Sequence, residues 1–180
     1  MSRVELIKAV IRLGMRVMPN KLEAYRFFSR ASHWLIKPPK HFQIDAMKVK
    51  HIPVLWVNHR ERCSSRVILY LHGGGYVIGS NHTHLELAAR IARAAHSQML
   101  MVEYRLAPEH PYPAALEDAL ETYKYLLGER ISSEKIVIAG DSAGGGLTMA
   151  LLQAIRDRGL PSPAGAVCLS PWLDLSCSIS

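Results

Sequence analysis

Residues 136–147 read Ile136-Val137-Ile138-Ala139-Gly140-Asp141-Ser142-Ala143-Gly144-Gly145-Gly146-Leu147, an apolar run that breaks into small residues around one serine. The first four residues suit a strand buried on both faces. A helix is expected to begin just after Ser142 and to run to Arg158, where Gly159 and Pro161 stop it. A chain that reverses from strand to helix within a few residues forces the residue at the turn into a strained backbone conformation. Its neighbours must then be small, or they collide with adjacent strands. Gly140, Ala143, Gly144, Gly145 and Gly146 meet that need. Ser142 is thereby expected to project its hydroxyl above the C-terminal edge of a sheet, with a helix N-terminus behind it that favours developing negative charge.

Working outward, three further apolar runs have the same character: Val67-Ile68-Leu69-Tyr70-Leu71, Met99-Leu100-Met101-Val102 and the stretch 164–169. Between them lie helices with readable ends. Thr83 with Glu86 three residues on reads as a capping box for a helix to about Ala95, and Pro113 opens another that closes at Gly128. Strand alternating with helix means an α/β fold, a mostly parallel sheet with helices on both faces. Upstream, residues 43–50 and 52–58 alternate apolar with polar, as two outer strands would, and Pro53 points to an edge position.

Residues 1–40 differ in character. Val4, Ile7, Val10, Ile11, Gly14 and Met18 recur at helical spacing with Lys8, Arg12 and Arg16 on one face, and an aromatic-rich helix is expected over 21–35 before Pro38-Pro39. The formal net charge of +7 belongs here: residues 1–60 hold 12 Lys/Arg against 3 Asp/Glu, whereas 61–180 hold 10 against 12. The near-neutral body excludes a nucleic-acid module. The basic helix is expected to pack on its own domain rather than on a membrane surface.

A phosphate-cradling loop is excluded at 140–145, because Gly146-Leu147 stands where Lys and Ser/Thr are needed. A dinucleotide fingerprint fails too, since Gly73, Gly75 and Gly79 are spaced one residue too long. The second informative segment is His72-Gly73-Gly74-Gly75 at the end of the 67–71 run. Successive glycines let backbone N–H groups turn toward a ligand unhindered. In acyl transfer the carbonyl oxygen becomes an oxyanion, which preorganised N–H donors stabilise. Gly73, Gly74 and Ala143 are the candidate donors.

His72-Gly73-Gly74-Gly75-Tyr76, Tyr104-Arg105-Leu106-Ala107-Pro108-Glu109, Gly140-Asp141-Ser142-Ala143-Gly144-Gly145 and Ser170-Pro171-Trp172-Leu173-Asp174 together resemble the hormone-sensitive-lipase-like family of α/β-hydrolases, from about residue 41 to 180. The resemblance implies hydrolysis of carboxylic esters, short to medium in acyl chain, with no metal and no cofactor. It implies Ser142 as nucleophile, an oxyanion hole of Gly73, Gly74 and Ala143, and supporting roles for His72, Gly75, Gly140, Asp141 and Gly144. It also implies that residues 1–40 are an N-terminal helical cap and 41–180 the catalytic domain. The 104–113 segment is expected to be a loop stiffened by Pro108, Pro111 and Pro113, with Arg105 available to pair with Glu109.

A serine nucleophile needs a base, and in this fold the chain order is Ser, then an acid, then His. All nine histidines (33, 41, 51, 59, 72, 82, 84, 96, 110) precede Ser142, and only Asp157 and Asp174 follow it. The acid and histidine of the triad are therefore expected to be absent, the chain to be the N-terminal portion of an esterase, and its C-terminal strands to be missing. His110 and the pair His82/His84 are the only local substitutes, and the pair lacks the carboxylates of a metal site. The alternative reading is a non-catalytic small-molecule binder on the same scaffold. Composition agrees with a folded chain: 180 residues, 49% apolar and 21% charged. Cys63, Cys168 and Cys177 have neither a disulfide framework nor zinc spacing, so a reducing, cytoplasmic setting is expected. The longest apolar run near the N-terminus, Ala9-Val10-Ile11, is too short for a signal peptide.

Overall fold

The computed structural model describes residues 22–24, 26, 27, 41–59 and 64–176. Six strands form one sheet in the order β1-β2-β4-β3-β5-β6, with β1 Phe42–Val49, β2 Ile52–His59, β3 Val67–Leu71, β4 Gln98–Val102, β5 Ile136–Asp141 and β6 Gly165–Leu169. β4, β3, β5 and β6 run parallel, and β1 and β2 add to that sheet as an antiparallel pair. The helices are α1 Asn81–Ala95, α2 Ala114–Gly128 and α3 Ala143–Asp157. The fold is that of an α/β-hydrolase.

Each face of the sheet builds its own core, as the uninterrupted apolar strands require. On one face Leu85, Ala88, Ala89 and Ala92 of α1 pack against Ile68, Tyr70, Met99 and Met101. On the other, Leu120, Tyr123 and Leu126 of α2 and Leu147, Leu151 and Ile155 of α3 pack against Leu69, Leu71, Leu100 and Ile138. Alternate residues of β3 thus point to opposite cores, and all five are buried.

Two readings of the sheet and of the first helix change. β2 lies between β1 and β4, so Pro53 is not on an edge. Its carbonyl accepts from Glu103 N–H (3.0 Å), and the β2–β4 ladder begins one residue later at Val54↔Val102; the missing proline N–H therefore falls beyond the ladder's end. The cap of α1 is Ser80, whose side chain accepts from Thr83 N–H while Thr83 Oγ1 accepts from Ser80 N–H. Glu86 instead pairs with Arg90 along the helix at 2.7 Å.

The amphipathic helices expected in the N-terminal 40 residues fall largely outside the described residues. Residues 22–24, 26 and 27 are helical, and Arg26 ties them to the body. Its guanidinium donates to Val77 O (2.9 Å), Ala107 O (2.7 Å) and both oxygens of Glu109 (2.6 and 2.9 Å). Glu109 therefore pairs with Arg26 and not with Arg105, and that contact holds the Glu109 carboxyl down at about 2. Arg105 turns to α2, where the buried Asp118 accepts its Nε, its Nη2 and its own backbone N–H. Among the described residues, no helix is long and apolar enough to cross a membrane.

Candidate active site

Ser142 stands at the junction of β5 and α3 with φ 52° and ψ −119°, a positive φ that a non-glycine residue adopts only when its surroundings impose it. Three backbone hydrogen bonds impose it. Ser142 N–H donates to Leu169 O (2.9 Å), while its carbonyl accepts from Gly146 N–H (3.1 Å) and Trp172 N–H (2.9 Å). β6 and the segment after it thus clamp the turn, and the serine side of the turn is exposed. Close approach explains the small residues. A Cβ on Gly144 would lie 2.0 Å from Leu71 O, so α3 can start against β3 only with glycine there.

The glycine loop sits beside the turn because β3 and β5 are adjacent and parallel, with Leu71 in register with Gly140. A Cβ on Gly73 would lie 2.3 Å from Asp141 Oδ2, which shows how tightly loop and turn meet. The three expected N–H donors differ. Gly73 N–H donates to Asp141 Oδ1 (3.0 Å) and is therefore committed to the turn. Gly74 and Ala143 N–H have no acceptor among the described residues. Gly75 has φ 62° and continues the loop into Tyr76, whose ring lies 6.2 Å from that of Trp172.

Behind the loop is a buried polar cluster. His72 is fully buried, with Nδ1 2.8 Å from Gly73 O and its ring stacked between Tyr104 (4.3 Å) and His84 (5.6 Å). Burial pulls the His72 imidazole down to about 4, leaving it neutral. Asp141 accepts from Tyr70 OH at 2.8 Å and faces His84 Nε2 at 3.5 Å. Burial pushes its carboxyl up, but His84, Tyr70 and the Gly73 N–H together outweigh that and bring it to about 2. For His84 burial acts downward, and the contact with Asp141 raises it overall.

The local substitutes for a base are not brought to the serine. Among the described residues no histidine nitrogen is hydrogen-bonded to Ser142 Oγ. His82 and His84, two apart on α1, diverge: His82 is exposed and His84 turns inward to Asp141. His110 is exposed and lines a cavity of about 580 Å³ together with Tyr76, Tyr112, Gly146, Trp172 and Leu173. Asp157 pairs with Arg156 at the end of α3, far along the helix from its N-terminus. The His84–Asp141 pair was not legible from sequence; only the inward position of His84 on α1 hints at it.

Comparison with known proteins agrees with the fold. The family described as the alpha/beta hydrolase fold matches residues 68–179. An acetyl-hydrolase of Streptomyces hygroscopicus is 41% identical over 178 residues, covering 97% of this chain and 58% of the relative. An esterase of Acinetobacter venetianus is 31% identical over 178 residues, covering 95% and 56%. Among solved structures, an esterase from the bacterial hormone-sensitive lipase family superposes with a TM-score of 0.82 at 39% identity, covering 97% of this chain and 60% of that one. A hormone-sensitive lipase from a metagenome library gives 0.84 at 34% identity, covering 100% and 61%. The chain therefore spans less than two thirds of the length of each of these relatives.

Proposed function

This chain is a member of the hormone-sensitive-lipase-like family of α/β-hydrolases, and on that footing we propose that the protein hydrolyses small carboxylic esters, short to medium in acyl chain, through an acyl-Ser142 intermediate. The observation that carries the reading is the backbone of Ser142. Its positive φ at the β5–α3 junction turns a serine out of the sheet beside the uncommitted N–H groups of Gly74 and Ala143.

In this reading Ser142 Oγ attacks the ester carbonyl carbon as its proton passes to a base. The carbonyl oxygen takes up negative charge facing the Gly74 and Ala143 N–H groups and the N-terminus of α3. Loss of one such donor costs about 10²- to 10³-fold in rate. The tetrahedral adduct collapses by expelling the alcohol, which takes the proton back from the base, and water then releases the acid from the serine by the same route in reverse. Gly73 serves as the anchor of the loop, since Asp141 holds its N–H. We take the base to be a histidine outside these 180 residues, because the nine present all precede Ser142. The 180-residue chain alone is then inert, with turnover lower by about 10⁶-fold. We also take residues 1–40 as a helical cap and 41–180 as part of the catalytic domain.

A fluorophosphonate probe applied to the complete protein should modify Ser142, and Ser142→Ala should abolish both modification and ester hydrolysis. A folded complete protein that resists the probe would overturn the reading and favour a non-catalytic binder on the same scaffold.

A further inference from the structure

His84 has no part in the chemistry just proposed, yet it contacts the carboxylate that holds the glycine loop. Asp141 Oδ1 accepts from Tyr70 OH of β3 (2.8 Å) and from Gly73 N–H (3.0 Å), while Oδ2 faces His84 Nε2 of α1 (3.5 Å). On the other side of the ring, His84 Nδ1 lies 2.8 Å from Thr83 Oγ1 and 3.2 Å from Ser80 O. The Ser80 carbonyl can only accept, and the Thr83 hydroxyl accepts from His84 when its one proton is given to Ser80 O (2.8 Å). Both ring nitrogens therefore face acceptors. A neutral imidazole has one N–H to offer, and only the imidazolium satisfies both sides.

The groups packed round the ring favour the same state. Asp141 of β5 and Glu103 after β4 are acids, and the stacked His72 is kept neutral by burial; one step further out, Tyr70 and Tyr104 give their hydroxyls to Asp141 and to the His72 carbonyl and are neutral. We infer that His84 is a positioning residue: its imidazolium fixes the Asp141 carboxylate, which in turn holds the Gly73 N–H and keeps the glycine loop in register with Ser142. The inference rests on the ester-hydrolysis reading only for what the loop does, and its test does not use hydrolysis.

The test is an NMR pH titration of the complete protein labelled with ¹⁵N-histidine and ¹⁵N-glycine. At pH 7 both His84 ring nitrogens should carry protons, and as pH rises the Gly73 amide resonance should shift with the same midpoint as the His84 ring. His84→Phe keeps the stack and removes both N–H groups; at pH 7 the Gly73 amide should then exchange with solvent about tenfold faster. A singly protonated His84 at pH 7, or a Gly73 amide indifferent to its titration, would overturn the inference. The wild-type titration stands even if the variant fails to fold. A coupled titration with a Ser142 that resists the fluorophosphonate would refute the esterase reading alone, whereas a reactive Ser142 with an uncoupled Gly73 would refute this one alone.

Discussion

Gly144 and Gly128 are both helical glycines, and their surroundings give them opposite consequences. An added Cβ at Gly144 would meet the backbone of Leu71 at 2.0 Å, whereas at Gly128 it would meet nothing within 4 Å. Gly144→Ala must push α3 off β3, and a loss of about 3 kcal/mol or more is expected. Gly128→Ala removes backbone freedom at the end of α2 without a clash, so it should be neutral or stabilising by up to about 1 kcal/mol. Urea unfolding of the two variants measures both, and equal midpoints would contradict the packing described. His72 makes a second prediction at this scale. Burial lowers its imidazole from 6.5 when unfolded to about 4 when folded. The unfolded chain therefore gains a proton first as pH falls, so stability is full above about 6.5 and drops by about 3 kcal/mol toward pH 4. His84, whose value is raised, acts with the opposite sign: its contribution is present below 6.5 and fades as pH rises through its folded value. His72→Phe should flatten the acid limb of a pH–stability profile; an unchanged limb would show that His72 is not its source.

At the scale of elements, β6 is one of the two edge strands of the sheet, the one that follows the serine turn. It pairs with β5 on one side, no strand pairs with its other side among the described residues, and Val167 and Leu169 are 47% and 38% exposed. Unpaired apolar strand edges add further strands. The 180-residue chain is expected to associate through this edge, with light scattering that rises with concentration, and Val167→Lys should lower it. A wild-type chain that stays monomeric at every concentration would refute this. β6 also reaches the site, because Leu169 O accepts the Ser142 N–H, so whatever covers β6 steadies the serine turn as well.

Across the whole molecule, what sequence made legible was local. The elbow, the glycine loop and strands β3, β4 and β5 follow from uninterrupted apolar runs and from small residues where backbones meet. What it hid joins distant residues: Arg26 reaches Glu109 across 83 positions, and His84 reaches Asp141 from another layer of the fold. Neither partner is marked by spacing, because ion pairs between layers depend on how helices settle on the sheet. For Arg105 the nearer acid along the chain is Glu109, yet its partner is Asp118, which α2 carries inward and buries. Pro53 misled for a related reason, since a lost donor matters only where a neighbouring strand offers an acceptor. The parallel pairing of β3 with β5 carries a further consequence, for the order of events in folding. The β1–β2 hairpin closes through two residues, Lys50 and His51, and such hairpins form in about 1–10 μs. Loop and elbow, by contrast, lie about 70 residues apart in sequence and meet only after two crossovers are complete, a slow non-local step. A newly made chain thus acquires its hairpin and helices well before Ser142 has neighbours, and reactivity at that serine would report the last stage of folding rather than the first.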